Sequence, residues 1–220
     1  MLRPVAVFAL LGLAFATPAF ACLYDCYWSG PGLPNYSLST IPSVIRVVGY
    51  GADGSLDPAG EFTVVVRGIS GNTLPLTQVT LDFGGTSPAH ICDVAIPQCH
   101  TFLESEQRVT AVAGSGGIAR FRIAGCAMNA GDGTGPSDGL VSVYICGVLV
   151  ARVPAVFVDQ DGQDGADAND LSMWLADFAS SNYFSRSDYD GNLILGANDL
   201  SLWLGIQGAG GSATGCANHP

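Results

Sequence analysis

Between Val44 and Phe157 the chain alternates apolar and polar residues at period two, or runs apolar for a few residues, with Gly, Pro, Asn and Asp breaking the pattern at short intervals. Such a pattern is the signature of strands joined by turns. Strands are predicted at Val44–Val48, Glu61–Arg67, Val79–Phe83, Arg108–Ala113, Ile118–Ile123, Val141–Cys146 and Val148–Val153. The plainest is Ala119-Arg120-Phe121-Arg122-Ile123, which sends Ala119, Phe121 and Ile123 to a core and both arginines to water. Val64-Val65-Val66 is apolar on successive residues, as a strand covered on both faces, or packed at a sheet edge, would be. A set of short strands like this one predicts a β-sandwich.

After Val158 the period changes, and Asp, Asn and Gly alternate before helical spacing takes over. Aligned on itself at an offset of 29, this region places Asp159-Gln160-Asp161-Gly162 over Asp188-Tyr189-Asp190-Gly191. Ala168-Asn169-Asp170-Leu171-Ser172 then matches Ala197-Asn198-Asp199-Leu200-Ser201 without a change, and Trp174-Leu175 matches Trp203-Leu204. A duplication of this kind is a stronger signal than any single motif. A run of Asp and Gly alone would read as a solvated loop or a linker. Here each run is followed by apolar residues at i, i+3, i+4 and i+7 (Leu171, Trp174, Leu175, Phe178), repeated as Leu200, Trp203 and Leu204, so a helix is predicted where each loop ends. The tryptophans at that spacing read as core.

The chemistry of the loops points to a hard cation. Calcium takes about six to eight oxygen ligands, which a 12-residue loop supplies from positions 1, 3, 5, 7 (by its carbonyl), 9 (often through water) and a bidentate carboxylate at 12. In the first loop these are Asp159, Asp161, Gln163, the Gly165 carbonyl, Asp167 and Asp170. In the second they are Asp188, Asp190, Asn192, the Ile194 carbonyl, Gly196 through water, and Asp199. Two Ca2+ ions are therefore expected.

Asp-x-Asp-Gly, an Asp at the twelfth place, a Leu directly after it and duplication across a short linker resemble the dockerin repeat, the calcium-bound docking module of bacterial cellulosomes. The resemblance covers residues 159–204 and implies a small all-α module, a cohesin-like partner and a setting in extracellular polysaccharide breakdown. The Gly that the family places sixth is Asp164 in one loop and Leu193 in the other, while Gly162 and Gly191 are kept. Because that Gly permits a positive φ, the second loop, with Leu193 and fewer acids, is expected to bind more weakly. Residues 44–157 resemble bacterial Ig-like domains, through Asp57-Pro58-Ala59-Gly60 before a Val/Thr strand and Ser115-Gly116-Gly117-Ile118-Ala119-Arg120-Phe121.

The first residues change the setting. Arg3, an apolar run from Val5 to Phe15, and Ala19-Phe20-Ala21 describe a cleaved secretory signal over 1–21. A lipid anchor on Cys22 is the rival reading. No later apolar stretch is long enough for a membrane helix. In an exported chain the cysteines read first as disulfides, with Cys92–Cys99 and Cys126–Cys146 as expected pairs. The count of seven leaves one over, either Cys22 or Cys216. By residue type His90, Cys92, Cys99 and His100 form the competing metal cluster.

Net charge is −11, and the span 159–208 holds nine Asp against one Arg, a field that attracts cations and repels nucleic acid and anionic membranes. There is no Lys in the chain. Catalysis finds no support: no Gly-x-Ser-x-Gly elbow, no His-Glu-x-x-His and no phosphate loop occur, and Glu61, Glu104 and Glu106 are the only glutamates. A carbohydrate-binding sandwich would need exposed aromatics on one sheet face, and the strands supply few. The expected organisation is a signal at 1–21, an extension at 22–43, an Ig-like β-sandwich at 44–157, a small all-α dockerin-like module at 158–208 and a flexible tail at 209–220. The expected role is a secreted, non-catalytic, calcium-binding interaction protein. The alternative is a structural envelope protein whose calcium repeat packs on its own sandwich.

Overall fold

The computed structural model describes residues 26, 35–51, 55–84, 89–94, 100–103, 106–127, 140–163, 165–180 and 182–208. The expected signal and tail, Cys22, Cys99, Cys216 and Asp164 lie outside the described residues. Nine strands are described: β1 (Ile45–Val47), β2 (Glu61–Val65), β3 (Gln78–Asp82), β4 (Ala89–Val94), β5 (His100–Leu103), β6 (Arg108–Val112), β7 (Ile118–Ala127), β8 (Leu140–Ile145) and β9 (Val148–Phe157). Two helices come after them, α1 (Ala168–Ala179) and α2 (Ala197–Gly208). All seven predicted strands overlap observed ones. The two that the pattern does not show, β4 and β5, flank the stretch expected to be a Cys92–Cys99 disulfide loop.

The strands form a six-stranded sheet in the order β1-β9-β8-β3-β6-β5 and a three-stranded sheet in the order β2-β7-β4. Inward residues of both sheets make one core, with Val79, Leu81, Val109 and Val143 from the larger facing Val64, Ile91, Phe121 and Ile123 from the smaller. This two-sheet arrangement is compatible with an Ig-like sandwich. Most pairings are antiparallel, but β1 runs parallel to β9, with Ile45 opposite Ala155 and Val47 opposite Phe157. Just past β1, the Val48 N–H donates to the Ile123 carbonyl of β7 at 3.2 Å, so this segment laces the two sheets together.

The expectation of a sandwich followed by a small all-α module is overturned here. The chain is mainly β, and its two helices do not form a body with a core of their own. Along β1, Ile45 and Val47 face the sandwich core, whereas Val44 and Val48 face the other way. Along β9 and just beyond, Ala155 and Phe157 face the core while Val156 and Val158 face away. Those four outward valines form one buried cluster with Trp174, Tyr189, Trp203 and Ile206. The two helices have 12 residues each, short enough to depend on tertiary packing, and their tryptophans are buried together with the valines of the sheet edge. The sheet edge supplies the missing wall.

The cysteine pairing also differs from expectation. Cys146 is bonded to Cys26, not to Cys126. Cys126, on β7, is a buried free thiol. Cys92 is disulfide-bonded as expected, its anticipated partner Cys99 lying outside the described residues.

Candidate metal centre

The first loop starts where β9 stops. The Val158 N–H still bonds to the Val47 carbonyl at 3.2 Å, so the chain remains pinned to β1 as it enters Asp159. Asp159 is fully buried, at 0 % exposure. Its Oδ1 accepts the Gly162 N–H at 2.7 Å, whereas its Oδ2 is buried without a hydrogen-bond partner. Asp161 Oδ1 accepts the Gln163 N–H at 2.8 Å.

Asp170, in the first turn of α1, reaches back into the loop. Its Oδ1 accepts the N–H groups of Gln160 and Asp161 at 2.6 and 3.0 Å, and its Oδ2 accepts that of Asp167 at 2.8 Å. Asp167 in turn caps the helix by accepting the Asn169 N–H at 2.6 Å, so Asp167 and Asp170 form a capping box. One oxygen from each of Asp159, Asp161 and Asp170 lies within 4.8 Å of the other two. Asp167 is not part of this cluster, because its carboxylate is turned to the helix N-terminus. Gln163 is exposed, and Gly165 is buried with φ +79°.

Packing carboxylates together in a buried place is unfavourable unless a cation joins them. Burial and the Asp170 charge push the Asp159 carboxyl up to about 7. Burial likewise raises Asp170 to about 6, against the pull of its three backbone N–H donors.

The second loop repeats the framework with a different outcome. Asp188, Asp190 and Asp199 each bring an oxygen within 4.8 Å of the others. Asp188, however, has both oxygens engaged: Oδ1 accepts the N–H groups of Gly191 and Asn192, and Oδ2 accepts the Leu193 N–H and the Tyr183 hydroxyl at 2.8 and 2.6 Å. Asp190 is bonded to Asn192 by both its oxygens, and the Asn192 side-chain Oδ1 accepts the Ile194 N–H at 2.8 Å. Asp199 accepts the N–H groups of Asp190 and Gly196, and burial raises its carboxyl above the usual range. Leu193 does take the positive φ of the missing Gly, at +67°.

Tyr183 is a participant that spacing did not reveal, since it precedes the second loop and has no counterpart in the first. Further hydrogen bonds join the repeats. Asp177 on α1 holds Arg186 through a buried pair at 2.8 and 2.7 Å and accepts the Ser187 hydroxyl at 2.7 Å. The Gln160 amide nitrogen donates to Ser187 Oγ and to the Tyr189 hydroxyl, which itself donates to the Phe157 carbonyl at 2.9 Å.

The repeat is seated on the sandwich by backbone as well as by packing. The Arg46 guanidinium donates to the Tyr189 carbonyl at 3.0 Å. Gly191, at φ +70°, lies so close to the chain entering β1 that a Cβ there would come 2.8 Å from Ser43 Oγ and 3.1 Å from Val44 Cβ. Only glycine suits both constraints.

Comparison with protein-family models, with curated proteins and with solved structures found no match to this chain. Among the described residues no helix is long and apolar enough to cross a membrane. The dockerin resemblance thus stands on the residues of the repeat alone, and the site is judged by its geometry. Two acidic triads are placed to hold a metal ion, and their all-oxygen donor set suits a hard cation such as calcium.

Proposed function

We propose that this chain is an exported, non-catalytic β-sandwich protein stapled by calcium, with the first loop as the principal ion site. One observation carries the reading: the buried, unpartnered Oδ2 of Asp159 inside a triad of carboxylates. A buried carboxylate oxygen without a donor costs free energy that a divalent ion would recover. Asp159, Asp161 and Asp170 would hold the ion, at the point where β9 passes into the repeat. Ordering the loop there fixes α1 and, through the shared apolar cluster, the edge of the six-stranded sheet. The Cys26–Cys146 disulfide, which ties the amino-terminal part of the chain to the end of β8, supports an oxidising compartment.

Thermal unfolding of the full chain tests this. At a calcium concentration about 100 times Kd, linkage gives roughly 2.7 kcal/mol, a rise of about 5–10 °C in Tm for a chain of this size. Asp159→Asn should remove that rise. In chelator the same variant should melt no lower than the parent, because it deletes a buried charge that then has no partner. A variant that melts lower in chelator and still responds to calcium would overturn the assignment.

A second reading is favoured by the outer surface of the helices. Leu175 and Phe178 on α1 and Leu204 on α2 are exposed large apolar residues, a stripe suited to an extracellular protein partner. Retention of such a partner by the parent, and its loss on changing Leu175 and Phe178 to Ser, would support it.

A further inference from the structure

The two tryptophans are hydrogen-bonded crosswise. The Trp203 indole N–H, on α2 of the second repeat, donates to the Val158 carbonyl at 3.1 Å. Val158 immediately precedes Asp159, the first residue of the first loop. The Trp174 indole N–H, on α1 of the first repeat, donates to the Ser187 carbonyl at 3.1 Å. Ser187 immediately precedes Asp188, the first residue of the second loop. Val158 and Ser187 are equivalent positions of the repeat, as are Trp174 and Trp203. Both indoles are buried, at 2 % and 1 % exposure, and all four atoms of the two bonds lie away from water.

The peptide leading into Asp159 is thereby held from two sides. The Val158 N–H bonds to the Val47 carbonyl of β1, and its carbonyl receives the Trp203 indole. The next side chain along is the carboxylate whose Oδ2 is buried and unpartnered in the triad. We infer that Trp203 is a positioning residue for the cation site of the other repeat: its indole N–H sets the peptide from which Asp159 projects, so loop one is complete only when α2 is docked. This inference rests on loop one being a cation site, and it adds that the affinity of that site is governed from α2. Without the indole bond, the Val158 carbonyl is a buried acceptor lacking its donor, and the peptide that sets the direction of Asp159 gains freedom. A side chain two bonds from that peptide then samples positions in which its Oδ2 leaves the triad.

The test uses the full chain in a background where the second loop is disabled by Asp190→Asn, so that calorimetric titration with calcium reads loop one. In that background Trp203→Phe, which keeps most of the ring and removes the N–H, should weaken calcium binding roughly three- to tenfold, the worth of one buried hydrogen bond. Trp174→Phe, whose indole bond serves the other loop, should change it less than about twofold. Equal weakening by the two changes, or no weakening by Trp203→Phe in a chain that circular dichroism shows to be folded, would overturn the crossed positioning. Absence of calcium binding in the Asp190→Asn background itself would instead count against loop one as a cation site. Should Trp203→Phe fail to fold, Val158→Pro is no substitute, because it keeps the carbonyl that accepts the indole and removes instead the bond to Val47. Trp203→His, which keeps a ring N–H, then serves as the second variant, with recovery of near-parent affinity expected where Trp203→Leu shows none.

Discussion

The orphaned oxygen of Asp159, set against an Asp188 whose two oxygens are both engaged, marks the two loops as unequal at the level of single residues, and in the second loop Leu193 holds a left-handed backbone. Leu193 sits where the loop turns most sharply, at φ +67° with its side chain 68 % exposed, so the strain has no compensating burial. An L-residue in that region costs about 1–2 kcal/mol, from which the extra freedom that glycine gives the unfolded chain subtracts up to about 1. Leu193→Gly should therefore raise stability by roughly 0.5–1 kcal/mol in urea denaturation, with an unchanged m-value; a loss of stability would show that the turn is not strained. The sequence made this position visible, because Leu stands where the calcium-loop pattern asks for Gly. It did not show that Tyr183 would fill the coordination space of Asp188, since a hydroxyl arriving from outside the repeat obeys no spacing rule. Nor did it separate ligand from cap: Asp167 and Asp170 sit at positions that both a calcium loop and a capping box favour, and only geometry shows Asp167 committed to the helix.

For the helices, apolar spacing predicts where they begin but not which way they face. Leu171, Trp174, Leu175 and Phe178 make the expected stripe, yet α1 buries Asp170, Trp174 and Asp177 and leaves Leu175 and Phe178 outside. The stripe is overridden because Asp177 finds Arg186, at a distance the local pattern does not encode. A hint was present: the span 159–208 contains one basic residue, and Asp177 is its one acid inside a helix away from the loops. A buried pair whose partner is removed leaves an uncompensated charge, which costs about 3–5 kcal/mol. Asp177→Ala should lower stability by that amount in chemical denaturation, and Asp177→Ala with Arg186→Met should recover part of it. A cost below about 1 kcal/mol would mean that the pair is solvated. The strands are more legible, since period two is local. β4 and β5 escape it because Cys92, Pro97 and Cys99 suggest a loop closed by a disulfide.

At the scale of the molecule, the continuous apolar run Ala155-Val156-Phe157-Val158 is the sign that β9 is covered on both faces. Taken locally, it marks no more than the end of a sandwich. The cover is the repeat itself, which no local pattern announces because it requires knowing that β1 and β9 are neighbours. The shared wall makes the acidity of the first loop a property of the whole fold. Asp159 at about 7 and Asp170 at about 6 lie above their unfolded value of 3.8, with Asp161 adding negative charge and the nearby Cys126 thiol, pushed up to about 11, remaining neutral. The native state then binds more protons than the unfolded one between about pH 4 and pH 7, so its stability falls as pH rises through that window. In chelator, Tm should be higher at about pH 5 than at about pH 8; in saturating calcium the order should reverse, because protons compete with the ion for the same oxygens. Parallel pH trends in the two buffers would count against the site.

The parallel pairing of β1 with β9 also decides when the protein can fold. β1 is the earliest described strand to leave the ribosome, yet its hydrogen-bonding neighbour and the tryptophans that roof its outer valines are made only after β2 to β8. Until α1 and α2 emerge, Val44 and Val48 lack the tryptophans that complete their cover, and the nascent chain carries a sticky, unzipped margin. Closure of this long-range seam is thus expected to be the late, slow event of maturation, and a chain whose translation stops short of α2 is the form most prone to clump.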